Sequence, residues 1–232
     1  MFRKFPKYYL NTPSKSFGVT TKKIDWVLRE ILYRVYERNE SFMSQKSLAQ
    51  ACELSMDTVN RLVSKLNQFR AIEKKPFGFR VLDSPKVLLY WAATRNLARN
   101  AVYNTYSPNS ELEIEAQIPQ GAIFTAYSGY RRRFGAPPTN YDEVYVYADP
   151  DEVKRRFPAN EAERRNIFVL APDPHIKKVS EEGAAPLAQI YVDLWQVGGA
   201  VANKFIVELD KKLELAGTEA LKAIIRATRM GP

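Results

Sequence analysis

Apolar residues recur every three or four positions from Ile24 onward. Ile24, Val27, Leu28, Ile31, Leu32 and Val35 form one stripe, which predicts an amphipathic helix over Ile24–Arg38 that ends at Asn39–Ser41. Ser44 supplies an N-cap for a second helix, Gln45–Cys52, with Leu48 and Ala51 inward. Glu53–Leu54 makes a tight turn, and Ser55 caps a third helix, Met56–Phe69, whose inward face is Val59, Leu62, Val63 and Leu66. The period then changes from helical to alternating. Ala71–Lys75 and Phe79–Leu82 read as two short strands around Pro76-Phe77-Gly78, a hairpin. Two short helices with a small residue, Ala49, at their crossing have the habit of a helix-turn-helix. The hairpin directly behind the third helix adds a wing, so residues 24–84 are expected to form a winged helix.

Beyond it the elements mix. Pro85–Ala98 is helical, with Val87, Leu88, Tyr90, Trp91 and Leu97 nearly all round it, as expected of a helix buried between two halves. Ser107–Gln117 reads as a capped acidic helix anchored by Leu112 and Ile114, and Asp149–Phe157 as a short basic one. Gly121–Tyr127, Val144–Tyr147 and Ile167–Leu170 are strand-like. Ala185–Trp195 and Ala200–Leu213 are helices parted by Gly198-Gly199, and Thr218–Met230 is a last, basic one. The expected fold class is α+β. A basic aromatic arm (1–23) precedes an N-terminal winged helix-turn-helix (24–84), followed by a mixed α/β C-terminal domain (85–232) with a tail helix over 218–230.

Charge sharpens the first half. The 232 residues carry a formal net charge of +9. Residues 1–110 hold 19 Lys+Arg against 8 Asp+Glu, whereas residues 111–232 hold 16 against 18, so the whole excess lies in the N-terminal half. Concentrated positive charge attracts polyanions. With its apolar face buried, the third helix presents Asp57, Thr58, Asn60, Arg61, Ser64 and Lys65. Asn60 suits adenine and Arg61 guanine. Gln45, Lys46 and Lys65 lie where phosphates would be met, and Lys74, Lys75 and Arg80 on the wing face an adjacent groove or backbone. With Ser55 at the helix start, these residues are the expected contacts to double-stranded DNA, read as inverted half-sites by a homodimer. The alternative is a winged helix that docks a protein and binds no DNA. In the arm, Arg3, Lys4, Lys7, Lys15, Lys22 and Lys23 alternate with Phe2, Phe5, Tyr8 and Tyr9, suiting either a DNA-tracking arm or an extension packed on the domain or a dimer mate.

Composition and motifs exclude other classes. With 45% hydrophobic residues the chain has material for real cores, yet no apolar run approaches the roughly 20 residues a membrane span needs. The N-terminus has no apolar core of a secretion signal, and the single Cys52 fits a reducing compartment, so the expected location is cytoplasmic. His175, the one histidine, sits in APDPHIKK and reads as a surface loop residue. No phosphate-cradling glycine pattern occurs, and no histidine serves a nearby Ser or Cys. Glu111, Glu113 and Glu115 read as a solvated face, and Asp193, within an apolar helix, as a structural acid paired with an arginine. No enzyme, metal or cofactor is expected. A less favoured alternative is a cryptic nuclease or transferase, in which Asp142, Glu143 and Asp193 converge with Arg131, Arg132 and Arg133. Those three arginines are otherwise either a partner surface or side chains spread around a helix end in ion pairs.

Three segments carry a family likeness: SLAQACELSMDTVNRLVSKL in the helix-turn-helix, then ELEIEAQIPQGAIFTAYSGYRRRFGAP, then APLAQIYVDLWQVGG. With Phe124-Thr125-Ala126 after an acidic segment and a late Tyr191-Val192-Asp193-Leu194, the chain resembles the AbiEi antitoxin family over roughly Ile24–Leu213. The resemblance implies the autorepressing antitoxin of a type IV toxin–antitoxin operon. Its winged helix would bind inverted repeats in its own promoter, and its C-terminal domain, with Arg131–Arg133 as a candidate antitoxin surface, would oppose a nucleotidyltransferase-like toxin. Members of the family need not bind that toxin directly.

Overall fold

The computed structural model describes residues 23–160 and 162–213, so the arm expected at 1–23 (Lys23 apart) and the tail helix expected at 218–230 lie outside the described residues. The first apolar stripe forms α1 (Lys23–Arg38), with Val27, Leu28, Ile31 and Leu32 fully buried. Ser44 and Ser55 cap α2 (Gln45–Cys52) and α3 (Met56–Gln68), each accepting a backbone N–H three residues on. Between them Glu53 takes a left-handed conformation (φ 53°) that closes the turn. The inward residues of α3 are those the pattern names: Val59, Leu62, Val63 and Leu66.

The hairpin β2 (Ile72–Lys75) and β3 (Gly78–Val81) gains a third strand that the sequence did not announce, β1 (Phe42–Met43), in the order β1-β3-β2. Two residues are too few for an alternation to show. All pairings are antiparallel, with Phe42 opposite Arg80 and Lys75 opposite Gly78. α4 (Ser84–Thr94) follows, capped by Asp83 with Pro85 in its first turn, and lies against α1.

The second half is a four-stranded mixed sheet covered on both faces. β4 (Ala101–Thr105), β5 (Ile123–Thr125), β6 (Val144–Tyr147) and β7 (Ile167–Leu170) take the order β4-β7-β6-β5, with β6 and β7 parallel and the outer pairs antiparallel. Every residue of β6 is buried because the two faces alternate between two cores. Val144 and Val146 pack with Ile114 and Ile118 of α5 (Glu111–Gln117) and with Val153 of α7 (Pro150–Arg156). Tyr145 and Tyr147 face the other core, with α6 (Ala126–Phe134) and α9 (Leu187–Val197). That core runs unbroken from Leu48 and Phe79, through α1 and α4, to Leu194 and Phe205. Phe205 belongs to α10, the helix over 199–213, which Gly198 (φ 68°) parts from α9.

Several expectations need correction. The strand expected over Gly121–Tyr127 stops at Thr125, where Ala126 (φ 50°) turns the chain directly into α6. β4, an edge strand, lies in a stretch that offered no alternation, its first four residues all being half-buried. Pro108 precedes the cap of α5, and Leu112 is 52% exposed, so Ile114 and not Leu112 anchors that helix. The loop expected around His175 contains α8 (Pro174–Val179), started by an Asp173 cap and Pro174 at its first position, a helix too short for periodicity to register. No helix among the described residues is long and apolar enough to cross a membrane.

Gly78 sets the orientation of the hairpin. A Cβ there would come 2.6 Å from the Met43 carbonyl oxygen, where backbone leaves no room. Gly78→Ala is expected to force β1 from β3 and cost about 1–3 kcal/mol, seen as a lower urea midpoint with an unchanged slope.

Candidate nucleic-acid interface

α3 has one buried side and one wet side. Its Ser55 cap accepts from Thr58 N (3.3 Å) and hydrogen-bonds the Thr58 hydroxyl (2.9 Å), which fixes the first turn. Along the outward face, Asp57, Asn60, Arg61 and Lys65 are exposed and Thr58 and Ser64 partly so. Arg61 meets Asp57 at 2.9 Å, but both side chains are about three-quarters exposed, so the pair is screened and worth at most about 1 kcal/mol. A phosphate or a guanine edge competes easily for such a guanidinium. Lys65 lies over the Tyr90 ring of α4 (5.2 Å to its centre).

The hairpin is tied to this face through one side chain. Lys74 Nζ donates to Ser64 Oγ (3.1 Å), which in turn reaches Asn60 Oδ1 (3.5 Å). Lys74, Lys75 and Arg80 are all exposed, as is Lys46 on α2, while Gln45 is half-buried. Lys75 is shared with Glu73 on its own strand (2.9 Å). The structure thus brings the α3 outer face and the hairpin residues together through Lys74, leaves Lys46 exposed at the start of α2, and makes Gln45 and Lys65 the least available.

Behind that surface lies a feature that sequence reasoning missed. Arg29, midway along α1, is fully buried. Its Nη1 and Nη2 donate to the two carboxylate oxygens of Asp173 (2.8 Å each), and its Nε to Gln189 Oε1 (2.8 Å). Gln189 Nε2 then donates to Asp193 Oδ1 (3.0 Å). Asp193 also accepts from Arg95 Nε (2.6 Å), Thr125 Oγ1 (2.7 Å) and the Tyr147 hydroxyl (2.8 Å). Arg95 continues to Asp25 (3.4 Å), which accepts from Trp91 Nε1 (3.0 Å). Burial opposes the charge on Arg95, but Asp193, Tyr147 and Asp25 outweigh it and hold its pKa above the ordinary value. One signal was present in the sequence: Asp25 and Arg29 occupy inward positions on α1, where an arginine must find an acid.

His175 extends the network and corrects the surface-loop expectation: it is only 2% exposed. An arginine can only donate, so the 3.2 Å contact from Arg29 Nη1 makes His175 Nδ1 the acceptor. The ring proton then sits on Nε2 and is donated to Glu30 Oε2 (2.8 Å). Burial pushes the His175 pKa down, and Arg29 reinforces this against the pull of Glu30. Glu30 is held below the usual carboxylate range despite burial by its bonds to His175 and Arg34. Arg34 reaches on to Ser47 of α2 (3.0 Å), joining the network to the base of the interface.

The remaining candidates are absorbed by the fold. Arg131 pairs with Glu115, which also accepts from Tyr141 (2.8 Å), so Glu115 is buried and not part of a solvated acidic face. Arg133 pairs with Glu37 (3.0 Å) and Glu181 (3.5 Å), and Arg132 stacks on the Phe124 ring (4.0 Å). The expected partner surface at Arg131–Arg133 is thus largely spent inside the fold; Arg132 alone of the three is exposed. Asp142 pairs with Arg164 on the surface and Glu143 accepts from the Tyr145 hydroxyl (2.9 Å), so neither converges with the fully buried Asp193. Among the described residues no three His, Cys, Asp or Glu side chains gather as a metal-holding group. An open groove of about 460 Å³ runs between α1, α2 and α8, but its cations Arg34, Arg38 and Lys178 are paired with Glu30, Glu40 and Glu53. No family model, curated protein or solved structure matches the chain.

The tautomer of His175 has a consequence for pH. The folded state keeps His175 neutral where the unfolded chain would protonate it. Its contribution is therefore complete above about pH 6.5 and is lost as the pH falls below that value toward the lowered folded pKa. Glu30 and Asp173, both held low, act in the same direction at lower pH. The urea midpoint is expected to drop between about pH 7.5 and about pH 5.5, and to drop less in His175→Gln, which cannot titrate.

Proposed function

We propose that the chain is a sequence-specific, double-stranded DNA-binding transcriptional regulator whose N-terminal unit is a winged helix-turn-helix. In this reading α3 is the recognition helix and the β2–β3 hairpin the wing. One observation carries it: the polar outer face of α3 exposes Asp57, Asn60, Arg61 and Lys65 and is joined to a basic hairpin by the Lys74–Ser64 contact. A helix of 13 residues with such a face has the dimensions to enter a major groove, and its first turns carry Asp57, Thr58, Asn60 and Arg61. Lys46, Lys74, Lys75 and Arg80 are the phosphate contacts that position it, and Lys65 serves once it leaves Tyr90. A homodimer on inverted half-sites is the arrangement that gives such a module register and affinity.

The finer reading, an AbiEi-type autorepressing antitoxin, rests on the resemblance of the three segments quoted above. It predicts a nucleotidyltransferase-like toxin encoded beside this gene, whose growth inhibition co-expression of this chain relieves. Failure to relieve it removes the antitoxin role and leaves the DNA-binding reading standing.

For DNA itself, fluorescence anisotropy on duplexes selected from a randomised pool is the test. Arg61→Ala is expected to cost about 1–3 kcal/mol and to relax the preference at one base pair. Lys74→Ala should weaken binding to all sequences alike and reduce the salt slope by about 1. A protein that binds none of the pool, at any salt concentration, is not a DNA-binding regulator.

A further inference from the structure

The tip of the hairpin is built against its own stability. Phe77 is 96% exposed, the most exposed large apolar side chain among the described residues. It also has φ 66°, in the left-handed region that an aromatic residue adopts only at a cost. Pro76 followed by a positive φ is the pattern of a type II turn, whose second central position ordinarily belongs to glycine. The chain has a glycine one residue later, at Gly78, where a Cβ would strike the Met43 carbonyl. Room for the hairpin thus claims the glycine, and the strained position goes to an aromatic ring that touches nothing else the fold needs.

The setting points to a ligand for that ring. Lys74, Lys75 and Arg80 stand on the two strands below it, and Lys74 bonds to the outer face of α3. β1 pairs with β3 and packs closely on Gly78, which sets the position of the hairpin. A basic hairpin ending in an exposed aromatic fits a polyanion with flat apolar surfaces stacked between its charges. We propose that Phe77 is a wedge that enters the minor groove next to the site of α3, partly unstacks one base step and kinks the duplex. This rests on the DNA-binding reading. A protein pocket would accept the ring equally, but it gives no reason for the lysines and arginine around it.

The test compares wild type with Phe77→Gly and Phe77→Leu on duplexes of about 30 bp, selected on the wild type from a randomised pool and end-labelled for energy transfer. Wild type is expected to bring the duplex ends together. Phe77→Gly should leave the duplex straight and bind about 5–100-fold more weakly, the loss of one stacking contact. Its salt slope should stay unchanged, since no charge is removed. Its thermal midpoint should be equal to or above that of wild type, because glycine relieves the positive φ. Phe77→Leu, an apolar wedge of another shape, should retain part of the bend. Equal affinity and equal bending by wild type and Phe77→Gly overturn the wedge while leaving the DNA-binding reading intact. A wild type that selects no duplex overturns both. A lower midpoint in Phe77→Gly with unchanged DNA binding makes Phe77 a structural residue and also overturns the proposal.

Discussion

Arg29 and Arg95 are cations taken wholly out of water, and such charges persist in a protein interior only when acids and hydrogen-bond acceptors surround them. Their partners come from almost every part of the chain: Asp25 from α1, Asp173 ahead of α8, Gln189 and Asp193 from α9, Tyr147 from β6. A buried ion pair adds little to stability relative to apolar packing, but removing one member is severe because the other stays buried and unpaired. The network therefore acts as a specification of geometry. α1 can dock on α9 in one register, since a slip of one residue would separate Arg29 from both Asp173 and Gln189.

That constraint reaches the surface that meets DNA in our reading. α1 packs against α2 and α3 and also against α8 and α9. Glu30 links His175 to Arg34, and Arg34 links to Ser47 in the first turn of α2. The outer face of α3 is thus presented by a base whose polar groups are matched to the sheet-bearing half, and the apolar core passes between the halves without a gap. A helix that reads bases gains from such a mounting, because orientation fixed in the free protein need not be bought at binding.

How much of this was legible in the sequence depended on the range of the interaction. Helix starts were readable where a cap acts across three residues, as Ser44 and Ser55 show, whereas the helix expected from Ser107 starts only after its cap at Ser110. β6 and β7 were readable because a sheet buried on both faces leaves an apolar run. The outer residues of α3 followed from its inner ones. His175 was misread because its neighbours in sequence are Pro-rich, whereas its environment is made by Arg29 and Glu30, which lie 146 and 145 positions away. For Arg131–Arg133 the pattern left a partner surface and ion pairs around a helix end both open, and the structure pairs two of the three, because Glu37 and Glu115 reach them only through the fold. Phe77 was visible as a letter in a turn, but its positive φ appears only in the folded hairpin, where Gly78 has no space for a side chain.

The spacing of the Arg29 network also imposes an order in time. Arg29 leaves the ribosome 144 positions ahead of Asp173. At about 5–20 residues per second, the first helices spend many seconds with the guanidinium solvated and the apolar face of α1 without its cover. The N-terminal helices can gather in that interval, but α1 cannot take its final seat until α8 and α9 have been synthesised. Final seating of α1, and with it the mounting of α2 and α3, is thereby tied to completion of the sheet-bearing half, so a chain interrupted midway through translation would carry its first three helices on an unfinished support.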